Sequence, residues 1–161
     1  MLLRPTVAVN AQDTTEMLTR RLAVLGAEVL SAALRALAGG SARGIPQDES
    51  HATFAPKLTK AQGRIDWRQP AEAIVRLVRA TVPWPGAATA WQGHLLKVWA
   101  AAPDAGAGAP GTVLQASGER LLVAAGHGAV ALTALQPAGG RHMQVREFLA
   151  GHRVQPGDVF V

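Results

Sequence analysis

The sequence predicts an α+β protein: one strand and two helices, followed by a small antiparallel β-barrel that carries one or two helices. Three observations predict it. Leucines and valines recur at helical spacing up to Gly39-Gly40, and short apolar runs separated by Gly and Pro follow from Ala88 onward. Between them lies an aperiodic stretch of Pro, Gly, Ser and acidic residues. We therefore divide the chain into residues 1–43, a linker over 44–60, and residues 61–161.

The first part combines a strand with two amphipathic helices. Residues 2–9 are predicted as the strand, and Asp13 with Glu16 has the spacing of a capping box at a helix start. Gly26 predicts a break between the two helices, and Gly39-Gly40 predicts the end of the second. Some 40 residues are too few for a core of their own, so the apolar faces need a partner.

The second part is predicted to be mostly strands. A helix from Pro70 to about Thr81 comes first, because Pro suits the first position of a helix. The predicted strands cover residues 88–91, 94–100, 112–116, 120–125 and 129–135, with a short helix over 145–150. This arrangement favours a partly open barrel of the oligonucleotide-binding (OB) type, and a small sandwich is the alternative.

Composition limits the possible chemistry. The chain has no cysteine, which excludes disulfides and thiolate chemistry and fits a reducing cytoplasm. No apolar run approaches the roughly 18 residues of a membrane span. The five histidines are scattered without metal-ligand spacing, and no serine has nucleophile-elbow surroundings. We therefore predict no metal site, no membrane span and no catalytic group, and we interpret Asp66 as a hydrogen-bonded structural carboxylate.

The net positive charge of the chain lies entirely in residues 57–161. Residues 57–161 hold eleven Lys and Arg against six Asp and Glu, while residues 1–56 are neutral. A basic module beside a neutral one indicates a polyanion, most often nucleic acid. The predicted RNA-binding residues are Lys57, Lys60, Arg64, Arg76, Arg79, Lys97 and Arg141. The alternative is that the arginines of this region, which also include Arg68 and Arg120, only pair with Asp66, Glu72 and Glu147. The four tryptophans are predicted to pack in the core rather than to stack on bases.

Several motifs resemble methionyl-tRNA formyltransferase. The matching stretches are Gln47-Asp48, Lys57-Leu58-Thr59-Lys60, Arg64-Ile65-Asp66-Trp67, the helix over 71–79, Pro83-Trp84-Pro85-Gly86, Lys97-Val98-Trp99, Pro110-Gly111-Thr112 and Leu135-Gln136-Pro137-Ala138-Gly139. Residues 13–26 resemble the last helices of the family's Rossmann-like formyl-transfer domain. The resemblance thus implies a remnant of that domain, a linker and the family's C-terminal barrel.

The resemblance also implies a function. The family transfers a formyl group from 10-formyltetrahydrofolate to initiator methionyl-tRNA, and its barrel helps to hold the tRNA on a basic surface. The family's catalytic Asn, His and Asp would lie before Met1, so none is assigned here, and we expect neither a cofactor nor turnover from this chain alone. Two rival interpretations are the barrel of a sugar-nucleotide formyltransferase and a stand-alone OB-type interaction module. Exposed leucines in residues 1–43 predict self-association.

Overall fold

The computed structural model describes all 161 residues, which form two compact units, residues 1–57 and 58–161. The helices are α1 (Thr15–Ala38), α2 (Ala71–Thr81) and α3 (Val145–Gly151). The strands are β1 (Ala87–Trp91), β2 (His94–Asp104), β3 (Val113–Ser117), β4 (Arg120–Ala124), β5 (Ala129–Pro137) and β6 (Met143–Gln144). The predicted α+β class with an antiparallel, barrel-like sheet is confirmed. None of the helices is long and apolar enough to cross a membrane.

The first unit differs from its prediction in two elements. Residues 1–10 form no strand, and one continuous helix, α1, replaces the predicted pair and runs through Gly26 without a break. A single glycine costs a helix only about 1 kcal/mol relative to alanine, which the surrounding Ala and Leu residues outweigh. The predicted fold of residues 1–43 as one strand and two helices is therefore wrong in its elements. No residue of α1 is buried.

The start of α1 is capped one residue later than predicted. Thr14 is the N-cap, and its hydroxyl accepts a hydrogen bond from the Met17 amide at 3.2 Å. Asp13 instead accepts from the Asn10 amide and pairs with Arg21. The capping box expected from Asp13 and Glu16 does not form, because a threonine directly before the helix already provides the cap.

The second unit is built on a six-stranded antiparallel sheet in the order β1-β2-β5-β4-β3, with β6 paired to β5. Two predicted hairpins are confirmed. Gln92-Gly93 joins β1 to β2 with positive φ at both residues, and Gly118, also at positive φ, lies in the turn between β3 and β4. Asn, Gly and similar turn residues are favoured in such positions because they tolerate the left-handed region. β6 was not predicted, since a two-residue strand has no periodicity.

The last residues of the chain connect the two edges of this sheet. The Val161 amide donates to the Ala90 carbonyl at 2.9 Å, on β1, and the Phe160 amide donates to the Gly111 carbonyl at 2.8 Å, just before β3. Val159 forms a further bridge to Thr112. The chain end therefore lies between both edge strands, which gives the sheet its barrel-like closure and leaves few unpaired edge groups.

Helix α2 covers the core. Its inward residues Ile74, Val75 and Val78 are at most 2% exposed. Trp67 and Trp91 lie in the core as predicted, in edge-to-face contact with Phe160 and Phe148 respectively. The core prediction is wrong for the other two tryptophans, since Trp84 is 54% exposed and Trp99 is half-buried on the outer side of the sheet.

Candidate nucleic-acid interface

The predicted RNA-binding residues lie in both units. Lys57 is an exposed residue at the end of the first unit, and the other six belong to the second. Arg79 and Lys97 are half-buried, whereas Lys60, Arg64, Arg76 and Arg141 are exposed. Of the seven, Arg141 alone forms an ion pair. The other six cations have no ion-pair partner within the protein.

A close backbone contact positions the chain that carries Lys60 and Arg64. A short 3₁₀ turn, Lys60–Gly63, precedes Arg64. A Cβ built on Gly63 would lie 2.3 Å from the carbonyl oxygen of Gly86, so only glycine allows this approach. The side chain of Lys97 lies against Gly86, because a Cβ built on Gly86 would be 3.5 Å from the lysine Cδ. Gly86 thus lies between the turn and Lys97.

The register of the sheet then aligns two of the cations. Arg64 bridges to Ala88 on β1, Ala88 lies opposite Lys97 on β2, and Lys97 lies opposite Gln136 on β5. Neighbouring strands are about 4.8 Å apart, so Arg64 and Lys97 lie about 10 Å apart across the sheet. Residues directly opposite one another share a face. We call Arg64, Lys97 and the adjoining Lys60 the cation row.

An aromatic cluster adjoins Lys97 on the same strand. The Lys97 ammonium lies 6.0 Å from the centre of the Trp99 ring, within cation–π range. The Trp99 indole N–H donates to Gln136 Oε1 at 3.0 Å, and the ring meets His142 edge to face at 5.7 Å. Gln136 in turn donates to the Gly140 carbonyl at 2.9 Å. Trp99 is therefore held rigidly beside a cation with part of its ring in solvent.

The interpretation of Trp99 as a core residue missed its half-buried position beside Lys97. The signal was present in the sequence, because Leu95, Lys97 and Trp99 occupy alternate positions of one strand. Alternate residues of a strand share a face, and a lysine on that face indicates solvent. Trp99 is thus an additional candidate for contact with a base, which the sequence interpretation assigned to the core.

The cations of α2 lie on its outer side. Arg76 is exposed and Arg79 half-buried, three residues further on, and Glu72 does not pair with either. The pairing alternative is therefore wrong for Arg76 and Arg79. Helix α2 contacts the 3₁₀ turn of Lys60–Gly63. Arg76 and Arg79 lie on α2, whereas Lys97 lies on β2, so the cation row as defined does not include the two arginines of α2.

The pairing alternative is correct at two other arginines. Arg68 binds Asp66 through Nε at 2.8 Å, and Arg141 binds Glu147 at 2.5 Å. The Arg68 side chain, together with the Arg68 amide, lowers the pKa of Asp66 to about 2. The Arg141 hydrogen bond and the Gln144 amide likewise lower the pKa of Glu147. Asp66 is hence a structural carboxylate, as interpreted, and Arg141 is partly neutralised.

The cation row and its aromatic neighbour suit binding rather than catalysis. Unpaired cations spaced along a surface neutralise successive phosphates, and an adjoining aromatic ring offers a stacking partner for a base. No group of three or more His, Cys, Asp or Glu side chains is arranged to hold a metal ion. The surface therefore has the chemistry of a polyanion-binding site.

Comparison with known proteins identifies the class to which this fold and surface belong. The sequence model of the formyl transferase C-terminal domain matches residues 57–153, so the chain belongs to the formyltransferase family. Within the family it is similar to the C-terminal part of methionyl-tRNA formyltransferases, which confirms the resemblance found in the motifs.

Three relatives illustrate that similarity. The methionyl-tRNA formyltransferase of Aromatoleum aromaticum is 43% identical over 99% of this chain and 51% of its own length. That of Myxococcus xanthus is 42% identical over 94% and 48%, and that of Caldanaerobacter subterraneus is 40% identical over 99% and 52%. The chain spans about half the length of the curated relatives it matches.

Solved structures with the same fold include HypX from Aquifex aeolicus. One variant superimposes with a TM-score of 0.61 and 26% identity over 77% of this chain and 22% of HypX. HypX in complex with tetrahydrofolic acid gives a TM-score of 0.60 and 26% identity over 76% and 22%. The fold is thus also found within a larger protein of a different name.

Proposed function

We propose that this chain is the C-terminal part of a methionyl-tRNA formyltransferase and that its second unit binds initiator methionyl-tRNA in the cytoplasm. In the proposed reaction a formyl group passes from 10-formyltetrahydrofolate to the amino group of the aminoacylated tRNA, which then serves in translation initiation. Residues 1–43 would be the end of the formyl-transfer domain, 44–60 a linker and 61–161 the RNA-binding barrel. No residue of this chain has a catalytic role in the proposal, so we expect it to have no turnover alone.

The observation that carries this proposal is the set of unpaired cations beside an aromatic ring. Lys60, Arg64 and Lys97 make no ion pair, although four arginines of the second unit do, namely Arg68, Arg120, Arg141 and Arg146. Burying a paired cation against RNA would first require breaking its pair, whereas an unpaired one exchanges only solvent and counterions. The names of the relatives supply the identity of the RNA.

Filter binding of initiator tRNA at low salt tests this proposal. We expect Lys97→Ala and Arg64→Ala each to weaken binding several-fold, because each removes one phosphate contact. Arg120→Ala is the matched control: it also removes one positive charge, but Arg120 pairs with Asp104 at the far end of β2, on the order of 20 Å from Lys97.

Two results would contradict the proposal. If the unmodified chain retains no tRNA, the barrel of a sugar-nucleotide enzyme or a protein-interaction module becomes the better interpretation. If Arg120→Ala weakens binding as much as Lys97→Ala, attraction depends on net charge alone and the cation row has no special role. Charge reversal at Lys57 and Lys60 gives a further distinction, since a sugar-nucleotide enzyme has no need of either.

A further inference from the structure

A cavity of about 500 Å³ opens at the hairpin end of the sheet, and none of the residues assigned above to RNA binding lines it. Its walls come from three places in the chain: the β1–β2 turn with the start of β2, the end of β5, and the end of α3 with the residues that follow it. Cavities that hold small ligands are typically 300–1,000 Å³. The size is therefore sufficient for a nucleotide.

The aromatic part of this cavity is already ordered. His152 stacks on Phe148 with ring centres 4.2 Å apart and planes 19° apart, and it meets Trp91 edge to face at 6.2 Å. The His152 Nδ1 is hydrogen-bonded to the Phe148 carbonyl at 2.9 Å, and the Trp91 indole N–H to Asp158 at 3.0 Å. These contacts fix both rings. Because Trp91 is 8% exposed and Phe148 1%, a planar ligand would meet chiefly the half-buried His152 ring, which is already ordered.

The remaining lining residues supply charge of one sign and apolar surface. His94 and Arg153 are exposed, line the cavity and have no hydrogen-bond or ion-pair partner within the protein. No acidic side chain lines the cavity. Leu95 is 53% exposed at its edge and adds apolar surface to the lining. The cavity thus complements a ligand with a flat, weakly polar part and an anionic part.

We propose that this cavity binds a nucleoside 5′-phosphate, with the base against the His152 and Leu95 surfaces and the phosphate at Arg153 and His94. Unpaired bases are recognised by stacking on aromatic rings, and phosphates by guanidinium and imidazole groups. The same chemistry is offered by a free mononucleotide and by an unpaired nucleotide of an RNA. The second source rests on the proposed function, whereas the first does not.

Titration of the full 161-residue chain with adenosine 5′-monophosphate, followed by NMR of the Trp91 indole and the His152 ring, tests the site. We expect saturable shifts at both rings, and about tenfold weaker binding in Arg153→Ala because a charge-assisted contact to phosphate is lost. Arg146→Ala is the control, since Arg146 lies on α3 outside the cavity and pairs with Glu119. Adenosine without phosphate should bind more weakly than its monophosphate.

The source of the nucleotide is resolved by two RNA duplexes, one blunt and one with a single unpaired 3′ nucleotide. If the overhang shifts the Trp91 and His152 signals and the blunt duplex does not, the site takes an RNA end; if only the free mononucleotide does, it takes the metabolite. No shift with any of these ligands at millimolar concentration overturns the proposal, as does an undiminished affinity in both Arg153→Ala and His94→Ala. If Lys97→Ala loses tRNA binding and Arg153→Ala keeps it, the tRNA is held by the cation row. The mononucleotide titration then decides about this cavity separately.

Discussion

At the scale of a single residue, the Asp66 carboxylate holds the short stretch of chain that leads from Trp67 to α2. Its Oδ1 accepts from the Arg68 amide at 3.1 Å and from Arg68 Nε at 2.8 Å, which fixes the chain between Trp67, in the core, and the start of α2. These hydrogen bonds lower the pKa of Asp66 from 3.8 to about 2. A lowered pKa means that the folded state favours the ionised carboxylate.

The pH dependence follows from that direction. The contribution of ionised Asp66 to stability is complete above about pH 4 and is lost as the pH falls toward 2, through the pKa of the folded state. We expect an NMR titration of the Asp66 carboxyl carbon to give a midpoint near 2, and Arg68→Ala to move the midpoint upward. Arg76→Ala, which removes an unpaired arginine, should leave it unchanged. A midpoint near 4 in the unmodified chain would contradict the account.

Gly63 determines whether the cation row can form. A methyl group there would meet the Gly86 carbonyl oxygen at 2.3 Å, and Gly86 directly precedes β1. We expect Gly63→Ala to lower the free energy of unfolding of the second unit by about 1–3 kcal/mol, the usual cost of overpacking. Gly151→Ala is the control, since a Cβ there meets nothing within 4 Å. Equal denaturation midpoints for the two variants would disprove the role of this contact.

At the scale of an element, helix α1 leaves an apolar face exposed to solvent. Leu30, Leu34 and Leu37 lie on one face and are 61%, 57% and 53% exposed. An apolar face of this kind drives association. We expect the chain to self-associate with rising concentration in sedimentation velocity, and Leu34→Gln to reduce the association.

The control for that experiment is Arg35→Gln, which introduces the same side chain about 100° further round the helix. It should leave the association unchanged. Strong hydrogen-exchange protection of α1 in a chain that stays monomeric at all concentrations would contradict the prediction, because a helix with no buried residue is expected to exchange rapidly.

The elements were predictable wherever a local signal determined them. The turn at Gln92-Gly93 and the proline before α2 gave the correct hairpin and helix, since both act through the conformation of one or two residues. Residues 2–9 have strand-like composition but form no strand, because a strand requires a neighbour to accept its hydrogen bonds. Gly26 suggests a break in the helix, but the free-energy cost of one glycine is small within a helix of 24 residues.

The site was predictable only as a set of charges, because its arrangement is a property of the whole second unit. The sequence indicates that Arg64 and Lys97 are basic, but they become neighbours only through the register of Arg64, Ala88 and Lys97. Register depends on long-range pairing that no local pattern specifies. For the same reason, ion pairs such as Arg141 with Glu147 could be listed as an alternative but not assigned.

The central claim is that several unpaired cations of one surface hold RNA phosphates. The most direct measurement is the affinity for initiator tRNA as a function of salt concentration, for the unmodified chain and for the double variant Arg64→Ala/Lys97→Ala. We predict a steep linear fall of log K with log salt, and a slope smaller in magnitude by roughly 1.5 in the double variant, because each lost contact removes about 0.7–0.9. A slope near zero in the unmodified chain, or the same slope in both proteins, would contradict the claim.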